Sequence, residues 1–126
     1  MSYRVRLRGW KAPPIDLRLI NVIVAEKEYI IPYSGDARKR HYHKTIKGKI
    51  AKFVVQLEIE YKGDWREVVR YDCSHGYAHR DAYSLAGKRT KEELYLRFED
   101  ALDLADDDID DNWESYKHRF LEGDMP

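Results

Sequence analysis

The chain has a single cysteine, Cys73, so no internal disulfide can form, and the Cys-x-x-Cys spacing of structural zinc is missing. No stretch approaches the ~18 consecutive apolar residues that a membrane helix requires. Met1-Ser2-Tyr3-Arg4 leads into alternating arginines rather than an apolar signal core, so the cytoplasm is the expected compartment and no membrane partner is expected. Disorder is excluded by composition, because 43% of the residues are hydrophobic and ten tyrosines and three tryptophans are present. The length, 126 residues, suits one domain spanning 1–126 with one core.

Net charge is also lacking, but only on average. Residues 1–50 carry twelve Lys/Arg against four Asp/Glu, residues 51–90 seven against six, and residues 91–126 four against thirteen, a balance of +8, +1 and −9. A basic first part suits contact with phosphate or an acidic partner. Mutual neutralisation of the two ends within one fold is the alternative. The acid-rich face is expected to lie near the basic segment 38–49 and to shield it from non-specific nucleic acid.

What is present is periodicity. Tyr3, Val5 and Leu7 alternate with Arg4, Arg6 and Arg8, a half-buried strand whose arginine row could grip a nucleic-acid backbone or blunt a sheet edge. Pro13-Pro14 breaks the pattern, Leu17–Ala25 reads as a buried strand, Glu26-Lys27-Glu28 as a reversal, and Tyr29-Ile30-Ile31 as a short strand. Residues 34–49 read as a long exposed basic loop, with Arg38, Lys39, Arg40, His41, His43 and Lys44 around Tyr42 suited to phosphate contact and base stacking. A solvated loop without a ligand is the plainer reading.

Phe53, Val55, Leu57, Ile59 and Tyr61 alternate with polar residues, Lys62-Gly63-Asp64 turns the chain, and residues 65–72 return, so 50–72 is expected as the central hairpin. A further strand follows at 77–84, ending at a Gly87 turn. Thr90-Lys91-Glu92-Glu93 fits a helix-capping box while Leu94, Leu96 and Phe98 alternate like a strand, so 91–97 stays open between the two. From Phe98 onward Leu102, Ala105, Ile109, Trp113, Tyr116 and Phe120 form one helical stripe, predicting a helix over about 98–121. The aspartates at 106–108, 110 and 111 are expected mostly on its solvated face, since the glycine and distal glutamate of a calcium loop are missing. The fold class is therefore α+β, an antiparallel sheet packed against one long C-terminal helix.

Reactive residue types concentrate in Val68–Tyr83, which holds His75, His79, Asp72, Asp81, Arg70, Arg80 and Cys73. On a strand, His79 and Asp81 share one face and Arg80 takes the other. Asp72 and His75 can close on the same pocket through Gly76. Carboxylate plus imidazole without thiolate spacing does not specify a metal, so no metal and no cofactor are expected. Acid–base cleavage of RNA needs none: one histidine takes the ribose 2′-hydroxyl proton, a second acid protonates the leaving oxygen, and arginine holds the phosphate. The candidate catalytic set is His75, His79, Arg80, Asp81 and Asp72, with Tyr77 or Tyr83 to stack on a base. The alternative is a His79–Asp81 pair that merely locks the hairpin. Cys73 reads as a small buried residue.

The run Trp65-Arg66-Glu67-Val68-Val69-Arg70-Tyr71-Asp72, then His75-Gly76-Tyr77-Ala78-His79-Arg80-Asp81, then Asn112-Trp113 resembles a family of small bacterial and archaeal proteins over about residues 50–121. That family carries no established activity. More distantly, a strand ending in Tyr-Asp before a His-rich turn is similar to the TumE-like toxin components of toxin–antitoxin pairs, from which the basic stretch 1–49 departs. That resemblance implies a ribonuclease of toxin type with an antitoxin-like protein partner, and with the acid–base set above the expected activity is a metal-independent endoribonuclease acting on RNA; a homodimer is the other expected association. A non-enzymatic protein- or nucleic-acid-binding module is the alternative.

Overall fold

The computed structural model describes residues 2–7 and 23–126. Seven strands follow one another: β1 (Ser2–Leu7), β2 (Ile23–Ser34), β3 (Ala37–Ile46), β4 (Lys49–Tyr61), β5 (Asp64–Asp72), β6 (His79–Tyr83) and β7 (Arg89–Glu93), before the helix α1 (Phe98–Leu121). Each pairs antiparallel with the next, giving one sheet in the order β1-β2-β3-β4-β5-β6-β7 among the described residues. This is the α+β arrangement expected, with its central hairpin and C-terminal helix in place. Arg8, the Pro13-Pro14 break and residues 17–22 of the second expected strand lie outside the described residues.

Two hairpins share one turn chemistry. Lys47-Gly48 joins β3 to β4 and Lys62-Gly63 joins β4 to β5, all four residues having positive φ (52°, 77°, 52° and 86°). Two-residue turns with both central residues left-handed match the twist of the flanking strands, and glycine takes the second position without steric cost.

The helix covers one face. Phe53, Val55, Leu57 and Ile59 of β4 and Val69 and Tyr71 of β5 are buried against Ala101, Leu102, Ala105, Ile109 and Phe120 of α1. The stripe spacing puts those helix residues on one side, and the 24-residue helix, at ~1.5 Å per residue, is about 36 Å long. Trp113 extends the seam by stacking on Tyr33, ring centroids 5.1 Å apart. The Leu85 N–H donates to the Phe120 carbonyl at 3.2 Å, tying the helix end to the segment after β6.

Three expectations are corrected. Glu26-Lys27-Glu28 is not a reversal but the middle of β2, paired with Tyr42, His43 and Lys44. Residues 34–49 are not a loop: all but the turns end β2, form β3 or begin β4, and β3 lies between β2 and β4. Its inward positions are Ala37, Lys39, His41 and His43, so burial there leaves no apolar alternation to read. The segment left open resolves as strand through Glu93 followed by an irregular link to Phe98, so the capping-box residues cap nothing.

Candidate active site

The register of β5 on β6 places Asp72 opposite His79 and Arg70 opposite Asp81. Residues one apart alternate between faces. Tyr71 and Arg80 therefore point to the helix, while Arg70, Asp72, His79, Asp81 and Tyr83 point to the face the helix leaves uncovered. β7 adds Arg89 opposite Tyr83 and Lys91 opposite Asp81. A cleft of about 240 Å³ results, lined by these residues with Ser74 and His75 from the turn after β5.

Its floor is buried and polar. His79 is 2% exposed and Asp81 3%. His79 Nε2 lies 2.6 Å from Asp72 Oδ1 and 3.7 Å from Asp81 Oδ2, and its Nδ1 is 3.3 Å from the Tyr77 carbonyl oxygen. Asp72 accepts from Arg70 Nε at 2.7 Å and from the Ser74 N–H and hydroxyl at 3.1 Å each. Burial acts to raise the Asp72 carboxyl, but the hydrogen bonds from Arg70 and Ser74 and the charges of His79 and Arg70 outweigh it and hold the group below the usual carboxylate range. Asp81 is served less well. Its Oδ2 has Arg89 at 3.6 Å, and its Oδ1 finds no hydrogen-bond donor among the described residues.

The rim is cationic and open. Arg89 and Lys91 stand on the exposed edge strand, and Arg70 is half-buried between Asp72 and Glu67. His75 is exposed, its ring 5.7 Å from that of His79 and 6.2 Å from that of Tyr77. Burial, with Glu67 and Asp81 nearby, pushes the Tyr83 phenol up. Cys73 is buried, and burial raises its thiol, as suits a packing residue.

Asp72, His75, His79 and Asp81 of the expected catalytic set thus converge, and Arg80 does not. Its Nε donates to the Tyr71 hydroxyl at 3.2 Å and lies 4.0 Å from Asp108 Oδ2, on the helix side of the sheet. Strand alternation turns it away from the cleft, whose cations are Arg70, Arg89 and Lys91. Neither Arg89 nor Lys91 is among the expected site residues, because the register of β7 on β6 brings them to the cleft.

The basic segment is largely consumed by the fold. Lys39, 2% exposed, bonds to Asp110 at 2.8 Å and Asp106 at 3.1 Å. His41 Nδ1 is 3.0 Å from Asp106 Oδ1, its Nε2 is 2.7 Å from His43 Nδ1, and its ring stacks on Tyr29. Burial, then His41 and Lys27, lowers the His43 imidazole and favours its neutral form. Arg38 and Arg40, on the uncovered face, share Glu58 at 2.6 and 3.1 Å, and Arg38 lies over the Trp65 ring. Lys44 is half-buried between Glu26 and Lys52.

The aspartates are mostly exposed, as expected: Asp107, Asp110 and Asp111 are exposed and Asp106 and Asp108 are half-buried. Asp106 and Asp110 reach β3, and Asp108 accepts from Tyr71 at 2.6 Å and Tyr116 at 2.7 Å, leaving Asp107 and Asp111 fully outward. The acidic helix does lie against the basic segment. It holds that segment as a structural partner, through Asp106 and Asp110 paired with the buried Lys39 and Asp106 with the buried His41.

These features define a class: an α+β protein whose antiparallel sheet carries a helix on one face and a cation-rimmed polar cleft on the other. The chain belongs to the family described as Domain of unknown function (DUF7718), whose model matches residues 24–126. Comparison with curated proteins and with solved structures finds no match.

Proposed function

We propose that the cleft is directed at nucleic acid, with RNA as the ligand and cleavage next to a ribose 2′-hydroxyl as the reaction. The observation that carries this reading is the convergence of Arg70, Arg89 and Lys91 around a solvent-exposed imidazole, His75, on the uncovered sheet face. Three cations suit a phosphodiester and the charge it gains during attack. His75 is the imidazole of this site that a substrate can reach, and imidazole is the side chain suited to moving protons near neutral pH. Tyr77, exposed beside it, supplies a face on which a base can stack. His79, nearly sealed, is part of the floor. The sequence likeness to toxin components points in the same direction.

The experiment is to incubate purified chain with a labelled single-stranded RNA and score both binding and cleavage. His75→Ala should lower cleavage by about 10²–10⁴-fold while leaving the melting temperature unchanged. Arg89→Ala and Lys91→Ala should weaken binding and flatten its salt dependence. RNA bound but left intact would favour the non-enzymatic binding module. RNA neither bound nor cut would end the nucleic-acid reading.

A further inference from the structure

We infer that Asp72, His79 and Asp81 form a binding site for a first-row divalent cation. One ligand atom from each residue lies within 4.8 Å of the other two. Ligands at about 2.1 Å from a cation stand roughly 3.0–3.4 Å apart when adjacent and about 4.2 Å when opposite, so Asp72 Oδ1 and His79 Nε2, now 2.6 Å apart, must open slightly while the wider separations close. The three residues sit at neighbouring positions of paired strands, a rigid support for such a set.

The orientation of His79 carries the argument further. A carbonyl oxygen can only accept, so Nδ1 bears the hydrogen that it donates to Tyr77. A ligating histidine has its tautomer fixed in this way, by an acceptor on the ring nitrogen that does not bind the metal. Nε2 is then turned toward two carboxylates, and close approach requires a positive charge between them. A second proton on the ring would satisfy Asp72 alone and leave Asp81 unengaged, its Oδ2 3.7 Å from the ring nitrogen and its buried Oδ1 without a donor among the described residues. A cation engages all three side chains.

The surroundings allow it. Arg70 bonds Asp72 through Oδ2, while Oδ1, which faces His79, also accepts from the Ser74 N–H and hydroxyl at 3.1 Å, so the hydroxyl must turn away or share that oxygen with the cation. Arg89, 59% exposed, can swing from Asp81 into solvent. One imidazole with two carboxylates suits manganese, iron or zinc better than calcium or magnesium, which take oxygen ligands. The remaining coordination positions open toward the cleft. The inference goes beyond the RNA reading and does not depend on it.

The test uses Mn²⁺ and no RNA. Chelator-stripped chain is titrated with MnCl₂, free Mn²⁺ is read by electron paramagnetic resonance, and melting is followed in parallel. Saturable binding at one equivalent with a raised melting temperature is expected. Asp81→Asn, which keeps the shape of the side chain, should weaken binding about tenfold or more while the stripped variant melts no lower than stripped wild type. Arg89→Ala, at an exposed position, should tighten binding by removing a competing charge. Asp107→Asn with Asp111→Asn should leave it unchanged. No saturable binding, binding indifferent to Asp81→Asn, weaker or unchanged binding in Arg89→Ala, or binding lost with the helix substitutions would each overturn the site.

Discussion

Removing Asp106 should cost far more than removing Lys39, although the two form one ion pair. Lys39 is 2% exposed, so its ammonium has exchanged water for Asp106 and Asp110. The side chains of those aspartates are 26% and 48% exposed and keep access to solvent when the lysine is gone. Stranding a buried charge costs about 3–5 kcal/mol. Here Asp110 still reaches Lys39, which reduces the expected loss for Asp106→Ala to about 2–3 kcal/mol. Lys39→Met retains the buried stem volume and removes the charge that must be desolvated, so about 0–1 kcal/mol is expected. The double variant should lose less than the sum, with a coupling of about 1–2 kcal/mol between the contacting groups. Urea unfolding followed by circular dichroism at neutral pH and a common slope measures all three. Equal costs for the two single variants, or less than about 0.5 kcal/mol for Asp106→Ala as at an ordinary surface site, would refute the reasoning. The 34–49 segment would then be the solvated loop that its composition suggests.

Two further outcomes follow from the packing and the carboxylates. Ile109→Ala, at a fully buried position of the helix stripe, should destabilise by about 2–5 kcal/mol, and an unchanged melting temperature would mean the helix is not seated on the sheet. At Asp106 and Glu58 burial acts to raise the carboxyl, but bonds from His41 and Lys39 in one case, and from Arg38, Gln56 and Arg40 in the other, outweigh it and hold both below their ordinary values of 3.8 and 4.5. Groups depressed in the folded state take up protons first in the unfolded chain, so their contribution is complete above about pH 5 and drains away as pH falls through the folded values. Asp106→Asn and Glu58→Gln should therefore lose less stability than wild type between about pH 5 and 3 in urea titrations, and parallel pH curves would contradict that assignment.

The central hairpin and the helix could be read from the chain because their inward residues are apolar and recur with the period of the element. Phe53 through Ile59 mark every second position, and Phe98 through Phe120 step by three and four. The shared face of His79 and Asp81 is equally local. β3 could not be read in this way, since Lys39, His41 and His43 face inward and are made tolerable by aspartates of the distant helix. The cleft depended on pairing as well: Asp72 joins His79 through the register of β5 on β6, while Arg89 and Lys91 arrive through that of β6 on β7. Arg80 was lost to the site by the same geometry, once the helix supplied Asp108 on the other side. Periodicity reports which residues avoid water. It cannot report which charges will meet, because Coulomb partners and strand registers are chosen by the assembled fold.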